Sequence, residues 1–123
     1  MSKAKVMTIF GMMVLLCALI QSNIASAATF TVGDSKGWTF NVAGWENGKS
    51  FKAGDVLVFN YPKGVHTVVG VGQNGYNTCN PSAGQVFTSG SDRITLKKGG
   101  NFFICGVDSH CKNFGMKIAV NAS

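Results

Sequence analysis

Short apolar runs separated by turn residues recur along most of the chain. From residue 28 onward, runs of about four to six residues rich in Val, Ile, Phe and Thr are divided by Gly, Asn, Asp and Pro. They predict strands at 29–32, 56–61, 66–71, 85–88, 92–96, 101–105 and 116–121. Segment 73–84 reads as a loop or a short helical turn. Because no long stretch has a helical period, we expect an all-β, Greek-key β-sandwich of seven to eight strands.

The first 27 residues have a different pattern. Lys3 and Lys5 precede an apolar run at 6–20, and the small residues Ala25-Ser26-Ala27 follow. This layout predicts a secretory signal peptide at 1–27, followed by one domain at 28–123. A membrane anchor is the alternative, but the run is shorter than the roughly 20 residues that span a bilayer. With no second apolar segment near the C-terminus, we expect a secreted, extracellular, monomeric protein without a membrane anchor.

Charge narrows the choice of partners. The predicted signal peptide holds two of the eleven basic residues and none of the five acidic ones, so residues 28–123 carry a net charge of +4. The nine remaining cations are spread along the chain without a dense run, which argues against nucleic acid binding. An acidic partner or a polyanionic matrix, such as cell-wall polyanions, is the more natural expectation.

Three cysteines follow the predicted signal peptide, which is an odd number for a secreted chain. One pair is expected to form a disulfide, and sequence alone permits three pairings of Cys79, Cys105 and Cys111. Cys105 ends an apolar run five residues before His110, which suits a metal ligand. Cys79–Cys111 is then the favoured bridge, and Cys105–Cys111 is the alternative.

The segment from Cys105 to Met116 combines a thiol, an imidazole and a thioether within a dozen residues. His66, at the start of a predicted strand, is the only other histidine. Two imidazoles and a thiolate with a weak axial thioether describe a mononuclear copper site. A structural zinc site is the other metal reading, but such sites are closed by Cys and His without a thioether. No spacing of a nucleophile, base and acid, or of paired carboxylates, suggests an enzyme.

Several motifs together resemble the phytocyanins, the plant blue copper proteins. They are the run Phe102-Phe-Ile-Cys105, the Cys-x4-His-Cys arrangement and Gly115-Met116-Lys-Ile-Ala-Val-Asn121. The chain resembles the plantacyanin branch of this family in its basic charge, its axial methionine and its lack of an anchor tail. The resemblance implies a cupredoxin-like sandwich, copper held by His66, Cys105, His110 and Met116, and a Cys79–Cys111 bridge. It also implies one-electron transfer by Cu(I)/Cu(II) cycling with an unidentified small-molecule or protein redox partner.

Two positions depart from the family pattern. Met116 stands six residues after His110 where the family usually has five, which leaves its axial role and the redox potential open. Thr67 follows His66 where asparagine is common, so the hydrogen bonds around the cysteine sulfur are expected to differ.

We expect an apolar docking patch for a redox partner at Pro62, Val65 and Phe114. The alternative function is that of an extracellular signalling or matrix-binding protein with the same fold, and the resemblance implies a pollen-guidance role as one example.

Overall fold

The computed structural model describes residues 26–123. Apart from its last two residues, the signal peptide expected at 1–27 lies outside the described residues. The strands are β1 (Thr29–Thr31), β2 (Val56–Asn60), β3 (Val68–Val71), β4 (Gln85–Phe87), β5 (Ser91–Thr95), β6 (Gly99–Ile104) and β7 (Lys117–Ala122). A 3-10 turn (Asp34–Lys36) and two short helices, α1 (Gln73–Thr78) and α2 (His110–Phe114), connect them. None of the helices within 26–123 is both long enough and apolar enough to cross a bilayer.

The strands form two sheets. Sheet A has the order β1-β2-β5 and sheet B the order β4-β3-β6-β7. All strand pairs are antiparallel except β1 with β2. The expected β-sandwich is therefore confirmed, and each of its predicted strands is present. Helix α2 was not expected, because the segment 105–116 reads as a loop in the sequence.

The core lies between the sheets and follows the two-residue period of the strands. Leu57 and Phe59 point inward from β2, and Val68 and Phe103 meet them from sheet B. Trp38, from the loop after the 3-10 turn, packs edge-on against Phe59 with ring centroids 5.0 Å apart. Full burial of side chains of this size stabilises the fold by about 1.5–3 kcal/mol each.

Sheet B is covered on its outer face as well. Val69 and Ile104 point away from the main core and form a second cluster with Cys111. Helices α1 and α2 supply the cover, with Tyr76 and Cys79 packed at its edge. Burial of both faces explains why β3 is continuously apolar instead of alternating.

The loop after the 3-10 turn lies across one end of the sandwich. Gly37 has φ +74°, and a Cβ there would come within 2.6 Å of the carbonyl oxygen of Asn60. Only glycine fits this close approach. Further along, the Asn41 amide donates to the carbonyl of Phe114 (2.6 Å), and the Ala43 amide to that of Gly115 (3.1 Å). The loop is thereby fixed against the segment after α2.

Candidate metal centre

The strand register brings the predicted ligands to one end of sheet B. Val69 pairs with Ile104, and Ile104 pairs with Lys117. His66 lies just before β3, Cys105 just after β6 and Met116 just before β7. Neighbouring antiparallel strands place these ends side by side, so residues far apart in sequence meet in space.

Three of the four predicted ligands converge. The ligand atoms of His66, Cys105 and His110 all lie within 4.8 Å of one another. His110 Nδ1 is 3.2 Å from His66 Nδ1 and 3.5 Å from Cys105 Sγ. His66 and Cys105 are buried, whereas His110 is half-buried at the end of the sandwich. A thiol and two imidazoles meeting without a carboxylate form the donor set that suits copper.

Met116 lies beside this cluster and is fully buried. Its amide donates to the carbonyl of His110 (3.2 Å), and its carbonyl accepts from the amide of Cys105 (3.0 Å). Helix α2 lies within the six-residue spacing from His110 to Met116, and it ends at Gly115 in the left-handed conformation. The main chain of Met116 therefore stays bonded to both neighbouring ligand residues, while its axial role remains a prediction.

The disulfide joins Cys79 and Cys111, whose Cα atoms are 5.7 Å apart. Cys105 is the free cysteine of residues 26–123, and it is buried. The alternative pairing of Cys105 with Cys111 is therefore wrong. Because Cys111 directly follows His110, the bridge also fixes that histidine against α1.

Thr67 occupies the position where the family commonly has asparagine. Its hydroxyl oxygen accepts a hydrogen bond from the amide of Gly106 (2.9 Å), and its carbonyl accepts one from Trp38 Nε1 (2.9 Å). A Cβ on Gly106 would lie 3.0 Å from that hydroxyl oxygen and 2.9 Å from a methyl of Val69. The residues that follow His66 and Cys105 are thus bonded directly to each other.

Burial and neighbouring charge favour neutral forms near the site. Burial lowers the pKa of His66, and the adjacent His110 lowers it further. A neutral imidazole is the form that binds a metal. Tyr61 lies on the same side, and its hydroxyl donates to the buried carboxylate of Asp92. Burial, followed by this hydrogen bond, raises the pKa of Tyr61 to about 12.

Sequence reasoning missed Phe40 as part of the site. Its ring is 4.8 Å from the ring of His110 and 5.4 Å from that of His66, in edge-on contact with both. It also lies 4.8 Å from the ring of Phe114. Phe40 stands in a loop without strand alternation, so the local sequence carried no signal for this contact.

Comparison with known proteins agrees with this geometry. The family model of the plastocyanin-like domain matches residues 38–116. The chain is 56% identical to a basic blue protein of Arabidopsis thaliana over 105 residues, or 85% of this chain and 81% of that protein. The chain belongs to the phytocyanins, in their plantacyanin branch. It is also 51% identical to chemocyanin of Lilium longiflorum over 111 residues, or 89% of this chain and 87% of that protein.

Solved structures of this branch have the same fold. The basic blue copper protein of cucumber superposes with a TM-score of 0.75 at 54% identity, covering 78% of this chain and all of that chain. Spinach plantacyanin superposes with a TM-score of 0.69 at 50% identity over the same share of each. The cupredoxin-like fold expected from the resemblance is confirmed. This is a blue copper family, and the meeting of one thiol with two imidazoles fits that metal.

Proposed function

We propose that the protein is a secreted electron carrier in which His66, Cys105, His110 and Met116 would hold one type 1 copper ion. The observation that carries the proposal is the convergence of the thiol and the two imidazoles within 4.8 Å. Bound copper supplies a one-electron couple between Cu(I) and Cu(II). The layout of residues 1–27 as a signal peptide supports secretion.

The chain's own residues hold this donor set and keep water from it. Cys105 is 2% exposed, His66 is 5% exposed and Met116 is fully buried. The strand ends, the disulfide and the Thr67–Gly106 hydrogen bond fix the donors before a metal arrives. With every coordination position assigned to a protein side chain, no position is left for a substrate. This supports electron transfer and not catalysis.

The half-buried edge of His110 is the proposed route for electrons. Around it lie the exposed rings of Phe40 and Phe114 and the exposed side chain of Val65, at 39%, 43% and 49% of full exposure. Together with Pro62, which is also exposed, these residues form the docking patch, so Phe40 joins the three residues expected from the sequence. A partner seated on the patch would displace water from apolar side chains and approach the imidazole closely.

Phe114→Glu tests the docking patch. We expect slower electron exchange with a protein partner such as a cytochrome, by about tenfold, because a buried carboxylate and a lost apolar contact each weaken docking. Val86→Glu is the matched control, since Val86 is also an exposed apolar side chain (57%) but lies on strand β4 and not in the loops around His110. Stopped-flow rates with both variants decide the point. Equal rates in Phe114→Glu and wild type would exclude the patch.

The copper site itself is tested with residues 28–123 after the disulfide has formed. Added Cu(II) is expected to give an intense blue charge-transfer band from the thiolate, and Cys105→Ser is expected to abolish it. Circular dichroism of Cys105→Ser shows whether the variant keeps its fold. A well-folded wild-type protein that stays colourless with Cu(II) would contradict the proposal.

Extracellular signalling with the same fold is the second candidate. The observation that favours it is the 51% identity to the chemocyanin of Lilium longiflorum, which spans most of both chains. A growth-guidance assay with wild type and Cys105→Ser separates the two functions. Activity that survives in Cys105→Ser would indicate signalling through the surface, whereas activity lost with the blue band would indicate redox chemistry.

A further inference from the structure

We propose that the end of the sandwich opposite the metal centre binds a linear acidic polysaccharide, a polyuronate. The surface is formed by Lys52, Lys97 and Lys98, and we call these three residues the basic pole. Such binding to the extracellular matrix would not depend on copper.

Strand direction places the basic pole far from the proposed ligands. β6 runs from Gly99 at the pole to Ile104 beside Cys105, and β7 returns from Lys117 to Ala122. Lys97 and Lys98 lie in the turn before β6, and Lys52 lies in the turn before β2. Six strand residues span about 17–20 Å, which separates the two ends of the molecule.

Hydrogen bonds lock the two turns together. The amide of Gly54 donates to the carbonyl of Leu96 (2.9 Å), and the amide of Leu96 donates to the carbonyl of Asp55 (2.8 Å). The Asn101 side chain closes the second turn, accepting from the amide of Lys97 (3.0 Å) and donating to its carbonyl (2.8 Å). The three exposed lysines therefore extend from a rigid backbone, which lowers the entropy lost on binding.

Two acidic side chains on this side of the fold accept hydrogen bonds from backbone amides. Asp55 is 4% exposed and accepts hydrogen bonds from the amides of Ala28 and Lys52, both at 2.9 Å. Those two bonds hold its pKa below the usual value. Glu46 accepts from the amides of Gly44 (3.0 Å) and Ala119 (2.9 Å). The exposed acids Asp34 and Asp108 lie at the opposite end of the sandwich, which carries the metal centre and which we call the metal end.

The composition of the pole favours a polyanion over a folded protein. Within residues 26–123, the exposed large apolar side chains are Phe40, Val65, Val86 and Phe114, and none belongs to the pole. Protein interfaces normally need such apolar anchors at their centre. Flexible ammonium groups on a polar surface suit a chain that repeats a carboxylate at every sugar. A polyuronate also leaves the docking patch free.

A matched pair of triple variants tests the proposal. Lys52→Gln/Lys97→Gln/Lys98→Gln removes the pole, and Lys36→Gln/Lys63→Gln/Lys112→Gln removes three exposed lysines at the metal end, so both lose the same net charge. Binding of residues 28–123 to polygalacturonate is measured by calorimetry across a salt series. We expect the pole variant to bind about tenfold more weakly, with a shallower salt dependence. The control variant is expected to stay within about twofold.

Each outcome decides the question. Equal losses in both variants would mean attraction by net charge alone and would overturn the proposal. Wild-type protein that binds methyl-esterified polygalacturonate as tightly as the free acid would also overturn it, because the carboxylates would then play no part. Tighter binding to an acidic protein or a DNA duplex at the same salt would assign the pole to another class of partner. Cys105→Ser should bind like wild type, which separates this result from a failed copper site.

Discussion

The hydroxyl group of Thr67 joins the segments that follow two proposed copper ligands. Thr67→Val keeps the shape of the side chain but leaves the Gly106 amide without its acceptor. We expect a loss of about 1–3 kcal/mol in the free energy of unfolding and a shifted redox potential. Thr67→Ser keeps the hydroxyl and is the control, with urea unfolding and voltammetry as the measurements. Equal free energies of unfolding and equal redox potentials in Thr67→Val and Thr67→Ser would show that the hydrogen bond to Gly106 contributes nothing.

Tyr61 predicts how stability responds to alkaline pH. Its pKa is 10.0 in an open environment and about 12 in the fold, so the unfolded chain loses this proton first. The folded state therefore gains stability from Tyr61 below pH 10 and loses it as pH rises from 10 to about 12. In Tyr61→Phe this fall should flatten, and stability near neutral pH should drop by about 1–3 kcal/mol because Asp92 loses a donor.

Tyr76→Phe is the control for this experiment. Burial also raises the pKa of Tyr76, but within residues 26–123 its hydroxyl makes no side-chain hydrogen bond comparable to that of Tyr61 with Asp92. We expect the Tyr76 variant to keep its stability near neutral pH to within about 0.5 kcal/mol. Urea unfolding at several pH values compares the three proteins. A Tyr61 variant that behaves like the Tyr76 variant would exclude the hydrogen bond as the cause.

The disulfide between α1 and α2 holds two helices of only six and five residues. Helices this short are not stable alone, so they depend on packing and on the bridge. Cys79→Ala/Cys111→Ala opens a loop with a separation of 32 residues and should cost about 3–4 kcal/mol. We also expect weaker copper binding, because His110 loses its anchor. A stability loss under about 1 kcal/mol, measured by urea unfolding, would contradict this.

The strands could be predicted because each carries its own signal. Val56, Leu57, Val58 and Phe59 form a strand by composition alone, and turn residues mark both of its ends. Helix α2 could not be predicted in this way. His110 to Phe114 have no helical period, and the turn forms because Cys111 is tied to Cys79 and packed on Ile104. Tertiary contacts decided the structure of this segment.

The metal centre also has one part that the sequence predicted and one part that it did not. Cysteine, histidine and methionine have few roles outside metal binding when they cluster, so the donor set was visible in the sequence. The contacts that hold these donors in place were not visible in the sequence. Phe40 contacts His110 in a loop that is held there by the hydrogen bond from the amide of Asn41 to the carbonyl of Phe114, 73 residues away along the chain. The residues around Phe40 in the sequence do not indicate this hydrogen bond, because it depends on the complete fold.

The distribution of charge over the whole molecule determines how the rate of electron exchange depends on salt. The metal end carries Lys36, Lys63 and Lys112 beside the acids Asp34 and Asp108, so removing the three lysines reverses the sign of the charge there. Electron exchange with an anionic metal complex should then slow by up to about tenfold at an ionic strength of about 0.1 M. The basic pole lies about 17–20 Å away, beyond the Debye length of about 10 Å, and its triple variant should react at nearly the wild-type rate. At about 0.01 M the Debye length grows to about 30 Å, so the rates of the two variants should converge. Stopped-flow rates at both salt concentrations test this, and two variants that remain equal at about 0.1 M would show that net charge alone steers the probe.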